Sequence, residues 1–418
     1  MKSRRLAESD IDRSVSRVLR AKFLAGLFEN PYVDAERAQR VSNTPEHQAL
    51  ALEAARKSIV LLKNEGGLLP LNRERVRTLA VIGPNAKGMH LGGYSQNPGR
   101  GVDVLSGITT SARVKVLYAE GVRITEHEAN WNADKVVLGD PQQNRARIQE
   151  AVKVARQADV IVLAIGTNES VSREAWGDNH LGDVADVTLM SNQEDLVRAM
   201  LDTRKPVVVV LINGRPLAMP LVADRVPAVI EAWYAGQEGG TAIGEVLFGD
   251  VNPGGKLPVT FPRHSGQLPV YYNRRPTSFR SHLDLTREPL WPFGFGLSYT
   301  AFRLDELRVA SPTIAPGGRT DVTVRVTNTG PRLGDEVVQL YIRDQVSSVT
   351  RPVKELRGFA RVTLQPGASQ TVRFTLGPEE LSLIDRRMQR VVEPGRFDIM
   401  VGTSATPALT ATLDVVAR

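Results

Sequence analysis

The chain has 418 residues, long enough for two or three domains with separate cores. Its hydrophobic fraction of 42% and charged fraction of 24% are ordinary for globular proteins, and no apolar run approaches the roughly 18 residues needed to span a bilayer. The absence of Cys excludes disulfides, thiolate catalysis and Cys-ligated metal centres, and the net charge of +7 is spread along the chain without a dense basic block. Neither nucleic acid nor a membrane is therefore an expected partner.

In chain order, AESDIDRSVSRVLRAKFLAGLF reads as an amphipathic helix. Ser9 or Asp10 is its expected cap, Ile11, Val15, Val18, Leu19 and Phe23 share one face, and Pro31 blocks its continuation. Residues 1–26 alternate bases with acids and apolar positions, which is not a signal-peptide pattern. A second helix is expected over about 44–60, followed by SIVLLKN and the turn-rich NEGGLLPLN.

From 78 to 261 the pattern becomes α/β. Strand-like runs fall at 78–83, 114–119, 159–166, 206–212 and 228–234, with helical patterns at 146–157, 192–203 and 240–248. Continuous apolar strands separated by helices imply a mainly parallel sheet covered on both faces. Its ligand crevice is expected beyond the carboxyl ends of the strands. Residues 250–300 are rich in Gly, Pro and aromatics and read as an extended connector. Beyond them the period is two, as in Val322, Val324 and Val326, then Val372, Phe374 and Leu376, then Phe397, Ile399 and Val401. With NTG, QPG and EPG turns between the runs, an antiparallel β-sandwich of about a hundred residues is expected.

The chemistry gathers in the loop after Gly166, which holds Glu169, Glu174, Asp178 and Asp183 among Arg173, Trp176 and His180. A carboxyl serves as a proton donor when burial raises its pKa, and a neighbouring Trp could supply such burial or a face for a sugar ring. The ordinary alternative is solvated loop charge, and spacing alone does not choose among the four. The six His residues show no metal-ligand spacing. GPNAKG (83–88) reads as a turn, and FGFGLS (293–298) as a loop.

Six stretches together resemble glycoside hydrolase family 3, the group of β-glucosidases and β-xylosidases. They are AARKSIVLLKNEGGLLPL (54–71), LAVIGPNA (79–86), NPGGKLPVTFP (252–262), PFGFGLSYTAF (292–302), VTNTGPRLGDEVVQLYI (326–342) and RPVKELRGF (351–359). The resemblance covers the C-terminal two-thirds of the family's layout. It implies an α/β sandwich with a mainly parallel sheet, followed by an all-β fibronectin type III-like sandwich. The implied boundaries are 1–43 for the last helix and exit segment of a barrel, 44–263 for the α/β domain, 264–302 for a linker and 303–418 for the fibronectin-like domain.

The resemblance also implies retaining hydrolysis of terminal β-D-glucosyl or β-D-xylosyl groups, without metal or cofactor. Within SREAWGD (172–178), Glu174 stands where the family has its acid/base, with Glu169 the next candidate. Trp176, His180, Asp178 and Arg173 are the expected substrate-side or loop-holding residues. The family's nucleophile is an aspartate on the barrel, and its Ser-Asp-Trp-like motif has no counterpart here. The chain is therefore expected to be inactive alone. Alternatives are a non-catalytic carbohydrate-binding or scaffolding protein, or one half of a split enzyme. The stripe at 11–23 implies either a separate barrel chain as partner or self-association. A periplasmic or secreted location is implied for the full-length form.

Overall fold

A computed structural model describes residues 6–95, 98–127, 134–177, 182–276 and 282–417. The chain divides into two compact units, residues 1–50 and 51–418. The first contains α1 (Glu8–Leu24), α2 (Ala35–Val41) and the start of α3 (Pro45–Ser58). Neither α1 nor α2 buries a residue, and Val15, Val18, Leu19 and Phe23 are all exposed. The expected cap of α1 is corrected. Ala7 occupies the N-cap without a side-chain bond, while Asp10 lies inside the first turn and pairs with Arg13. There its charge still favours the positive end of the helix dipole.

The second unit opens with β1 (Val60–Asn64) and β2 (Thr78–Ile82). Then follow α4 (Val104–Ala112), β3 (Lys115–Ala119), α5 (Pro141–Ala155) and β4 (Val160–Gly166). The series ends with α6 (Gln193–Asp202), β5 (Val207–Ile212), α7 (Pro220–Arg225), β6 (Ala228–Glu231) and α8 (Gly239–Phe248). The six strands form one sheet in the order β1-β6-β5-β4-β2-β3, parallel throughout except for the antiparallel edge strand β1.

Period-two alternation explains why the apolar runs are continuous, since both faces of the sheet are buried. Ile161, Leu163, Val209 and Leu211 pack with Ile148 of α5, Leu196 and Met200 of α6 and Val222 of α7. Val162, Ala164, Val208 and Val210 pack on the other face with Ile108 of α4 and Ile243 and Val246 of α8. Helices α4 and α8 meet backbone to backbone, because a Cβ on Gly107 would lie 1.9 Å from the Gly240 carbonyl oxygen.

The Pro- and Gly-rich connector holds a short 3-10 turn at Ser265–Gln267, is bridged within itself from Phe261 to Trp291, and joins the sheet by an isolated bridge from Leu297 to Leu61 of β1. A largely buried Lys256–Glu336 ion pair of 2.7 Å ties it to the β-sandwich that follows. That sandwich begins with β7 (Phe302–Val309), β8 (Thr313–Ile314), β9 (Thr320–Asn328) and β10 (Gly334–Asp344). It continues with β11 (Glu355–Leu364), β12 (Ser369–Leu376) and the single-turn α9 (Pro378–Leu381). The last strands are β13 (Leu383–Ile384), β14 (Arg390–Val391), β15 (Gly395–Gly402) and β16 (Leu409–Val415). A five-stranded sheet, β11-β10-β15-β16-β8, faces a three-stranded one, β12-β9-β7. Pairing is antiparallel apart from β16 with β8. Val322, Val324, Val326, Val372, Phe397, Ile399 and Val401 all enter its core.

Candidate active site

Strand β2 lies between β3 and β4, so the chain leaves it on one side to form β3 and returns on the other to form β4. Such a reversal opens a crevice beyond the carboxyl ends of the two strands where it happens. Each of these ends is a glycine with positive φ, Gly83 (+131°) and Gly166 (+143°). A Cβ on either would lie 2.1 Å from a carbonyl oxygen of the adjacent strand, that of Ala164 or Ile212 respectively. Only glycine lets the backbone turn out of the sheet this close to its neighbour. The fully buried Gln193 takes over the role of a strand partner at the end of β4. Its Oε1 accepts from Gly166 N–H at 2.8 Å and its Nε2 donates to the Gly166 carbonyl at 2.9 Å.

The first turn of the loop after β4 is fixed by hydroxyls. Tyr234, just beyond β6, brings its hydroxyl within 3.0 Å of Thr167 Oγ1 and 2.8 Å of Ser172 Oγ, and Ser172 donates to the Asn168 carbonyl at 2.7 Å. Donation from Thr167 to Tyr234 to Ser172 to Asn168 satisfies every hydroxyl in one direction. Burial pushes the Tyr234 phenol up to about 12, against the opposing hydrogen bonds of Ser172 and Thr167, so it remains a neutral relay.

Glu169 points inward from this turn. Its Oε2 lies 3.1 Å from His90 Nδ1, and its Oε1 accepts from Leu91 N–H at 3.0 Å. Burial would raise the pKa of this carboxyl, but the His90 ring and the backbone donors outweigh it and hold the group below its ordinary value. Glu169 is thus an ionised acceptor that fastens the loop after β2 to the loop after β4. A deeper carboxyl, Glu231 at the end of β6, is fully buried. It accepts from Trp233 N–H at 2.8 Å and Asn213 Nδ2 at 3.1 Å. Burial drives it up to about 8, with those two donors acting in the opposite direction.

Glu174 faces solvent from the same loop. The Tyr94 hydroxyl donates to its Oε2 at 3.2 Å, and the charge of Glu174 raises the Tyr94 phenol above its ordinary value. The returning chain passes directly beneath, where a Cβ on Gly182 would lie 2.7 Å from the Arg173 carbonyl oxygen and 2.8 Å from the carbonyl carbon of Glu174. Arg173 itself is buried, and Trp176 is 59% exposed. Glu174 is exposed as the described residues of this chain stand. Asp178 and His180 lie outside the described residues. No group of three or more His, Asp or Glu suited to a metal occurs among the described residues.

The structure thus brings Glu174, Glu169 and Arg173 to one loop, and adds Tyr94, His90 and Tyr234, which sequence reasoning did not single out. Their only signal was position, since HLGGY (90–94) and AWY (232–234) also follow strand ends.

The family described as the glycosyl hydrolase family 3 C-terminal domain matches residues 59–299, and the fibronectin type III-like domain matches residues 336–405. A β-xylosidase of Formosa agariphila is 43% identical over 94% of this chain and 54% of that protein. A periplasmic β-glucosidase of Salmonella typhimurium is 38% identical over 97% of this chain and 55% of its own length. The structure of a β-glucosidase from Erythrobacter marinus superposes with a TM-score of 0.94 at 44% identity, over 98% of this chain and 56% of that one. The chain therefore spans little more than half the length of these relatives. With the domain match, the near-complete coverage of its own length and the shared fold, the chain belongs to glycosyl hydrolase family 3.

Proposed function

We propose that this chain supplies the acid/base half of a retaining β-glycosidase site acting on terminal β-D-glucosyl or β-D-xylosyl groups, with Glu174 as the acid/base. The observation that carries this reading is the setting of Glu174. It is a solvent-facing carboxylate at the sheet's switch point, held by the Tyr94 hydroxyl and by the Gly182 approach. Glu169, the other candidate, is bound on both oxygens and held ionised, which suits a structural acceptor better than a proton donor.

In the proposed reaction, Glu174 protonates the departing glycosidic oxygen while a second carboxylate attacks the anomeric carbon. Ionised Glu174 then takes a proton from the water that cleaves the glycosyl ester. The two carboxyl groups must stand about 5–5.5 Å apart. The nucleophile comes from a barrel outside residues 1–418, either preceding them in the same protein or on a separate chain. The exposed stripe of α1 is the surface that favours such a partner.

The test uses aryl β-glucosides and β-xylosides, with the chain alone and with the barrel portion of the Erythrobacter marinus relative added. Turnover is expected only in the mixture. There, Glu174→Gln should abolish it for poor leaving groups, and azide should restore it for good ones. Robust turnover by the chain alone, lost in Glu174→Gln, would overturn the external nucleophile. Turnover in the mixture that ignores Glu174→Gln would overturn the acid/base assignment.

A further inference from the structure

Arg215 follows the carboxyl end of β5, beside the loop that carries Glu174. Its neighbour Gly214 fixes this placement. The Gly214 N–H donates to Thr167 Oγ1 at 3.4 Å, and a Cβ there would lie 2.9 Å from the Tyr234 ring and 3.6 Å from Ser172 Oγ. Two fully buried side chains hold the backbone at this point. Asn213 Nδ2 donates to the Arg215 carbonyl at 2.9 Å and to Glu231 Oε2 at 3.1 Å, and Glu231 accepts from Trp233 N–H at 2.8 Å.

The guanidinium carried by this platform is uncompensated. Its Nε and Nη2 are buried and have no hydrogen-bond partner among the described residues. Burial lowers the Arg215 pKa, and the exposed Asp183 opposes that only as a charge, not through a hydrogen bond. A guanidinium stays charged all the same. A buried cation without an anion costs free energy that a carboxylate recovers. The two orphaned nitrogens share one edge of the planar group, where their N–H bonds run parallel at the spacing of the two carboxylate oxygens. An edge orphaned as a unit fits a single bidentate acceptor.

Two sources supply such an acceptor, a free anion or a carboxylate on a docking surface. The chain itself covers the edge, so whatever reaches it must first displace that cover. A protein interface repays the displacement over its whole area, whereas one small ion does not. Given a barrel that brings the nucleophile to Glu174, as proposed above, a docking surface arrives at this same crevice. We propose that the Nε–Nη2 edge of Arg215 receives a carboxylate side chain of that barrel, an ion pair that fastens the barrel beside the Glu174 loop.

Two measurements of opposite sign test this. In the chain alone, Arg215→Met removes an uncompensated cation and keeps an apolar stem, so the urea midpoint is expected to rise. In calorimetric titration with the barrel portion used above, the same variant is expected to bind at least about tenfold more weakly (about 1.4 kcal/mol). Arg215→Lys keeps the charge without the fork and should bind with intermediate affinity. A lower midpoint for Arg215→Met, or its failure to fold, would mean that the guanidinium already has a partner within the chain, which overturns the assignment. If Asp183→Asn matches the loss of affinity in Arg215→Met and the double variant loses no more, the edge belongs to Asp183 and not to the barrel. If about 10 mM phosphate lifts the wild-type midpoint to that of Arg215→Met, a free anion is the occupant and the assignment falls. A wild-type chain that forms no complex overturns the barrel reading and the ion pair together. A complex that forms equally well with Arg215→Met overturns the ion pair alone.

Discussion

The Tyr94 hydroxyl and Glu174 Oε2, 80 residues apart in sequence, lie 3.2 Å apart across the switch point of the sheet. This bond ties the loop after β2 to the loop after β4 at the position where Glu174 meets solvent. The coupling can be read from the tyrosine. The nearby carboxylate charge disfavours tyrosinate and raises the phenol.

Glu174→Gln removes that charge, so the Tyr94 titration is expected to move down toward the ordinary tyrosine range. Difference ultraviolet titration of Glu174→Gln, with and without Tyr94→Phe, isolates the one phenol among eight. An unchanged Tyr94 titration would mean that the two side chains do not meet in solution.

Gly182→Ala is expected to produce the same downward movement by a different route. Its Cβ would displace Arg173 and Glu174 backbone atoms from contacts of 2.7–2.8 Å, and so separate Glu174 from Tyr94. The parallel sheet is several residues away, and far-ultraviolet circular dichroism should be unchanged. A variant with wild-type Tyr94 titration would show that the loop absorbs a methyl group without moving.

The sheet was legible because burial on both faces leaves continuous apolar runs, and the sandwich because burial on one face leaves alternation. Helix α4 was not. Its VLSGITTSA segment carries a glycine and β-branched residues of low helix propensity, and it forms because Gly107 lets it pack tightly on α8. The site was legible only in part. Glu174 emerged from the family resemblance, whereas Tyr94, His90 and Tyr234 reach it through pairings of 62 to 80 residues that no local pattern encodes. Asp10 was misread because an acid near a helix start fits both the cap and the first turn.

Tyr234→Phe tests the hydroxyl relay. The ring still packs, but Ser172 and Thr167 lose a shared partner in a mostly buried setting. A loss of about 1–3 kcal/mol in urea unfolding is expected. Ser172→Ala should cost a similar amount, and the double variant less than the sum by about 0.5 kcal/mol or more. Strict additivity would mean that the two hydroxyls act independently.

Glu231 gives the chain a pH dependence whose sign follows from its burial. Its folded pKa of about 8 stands above the ordinary 4.5, so between those values the folded chain retains a proton that the unfolded chain has released. The contribution is full below about pH 4.5, is lost as pH rises through about 8, and then levels off. By linkage the loss reaches about 5 kcal/mol at most. Glu231→Gln keeps an acceptor for Trp233 N–H and cannot ionise, so its stability should lack this decline. Urea unfolding of both proteins at pH 5, 7 and 9 measures the difference. The stability of Glu231→Gln relative to wild type should rise at each step, and parallel profiles would mean that Glu231 ionises in the fold as readily as in the open chain.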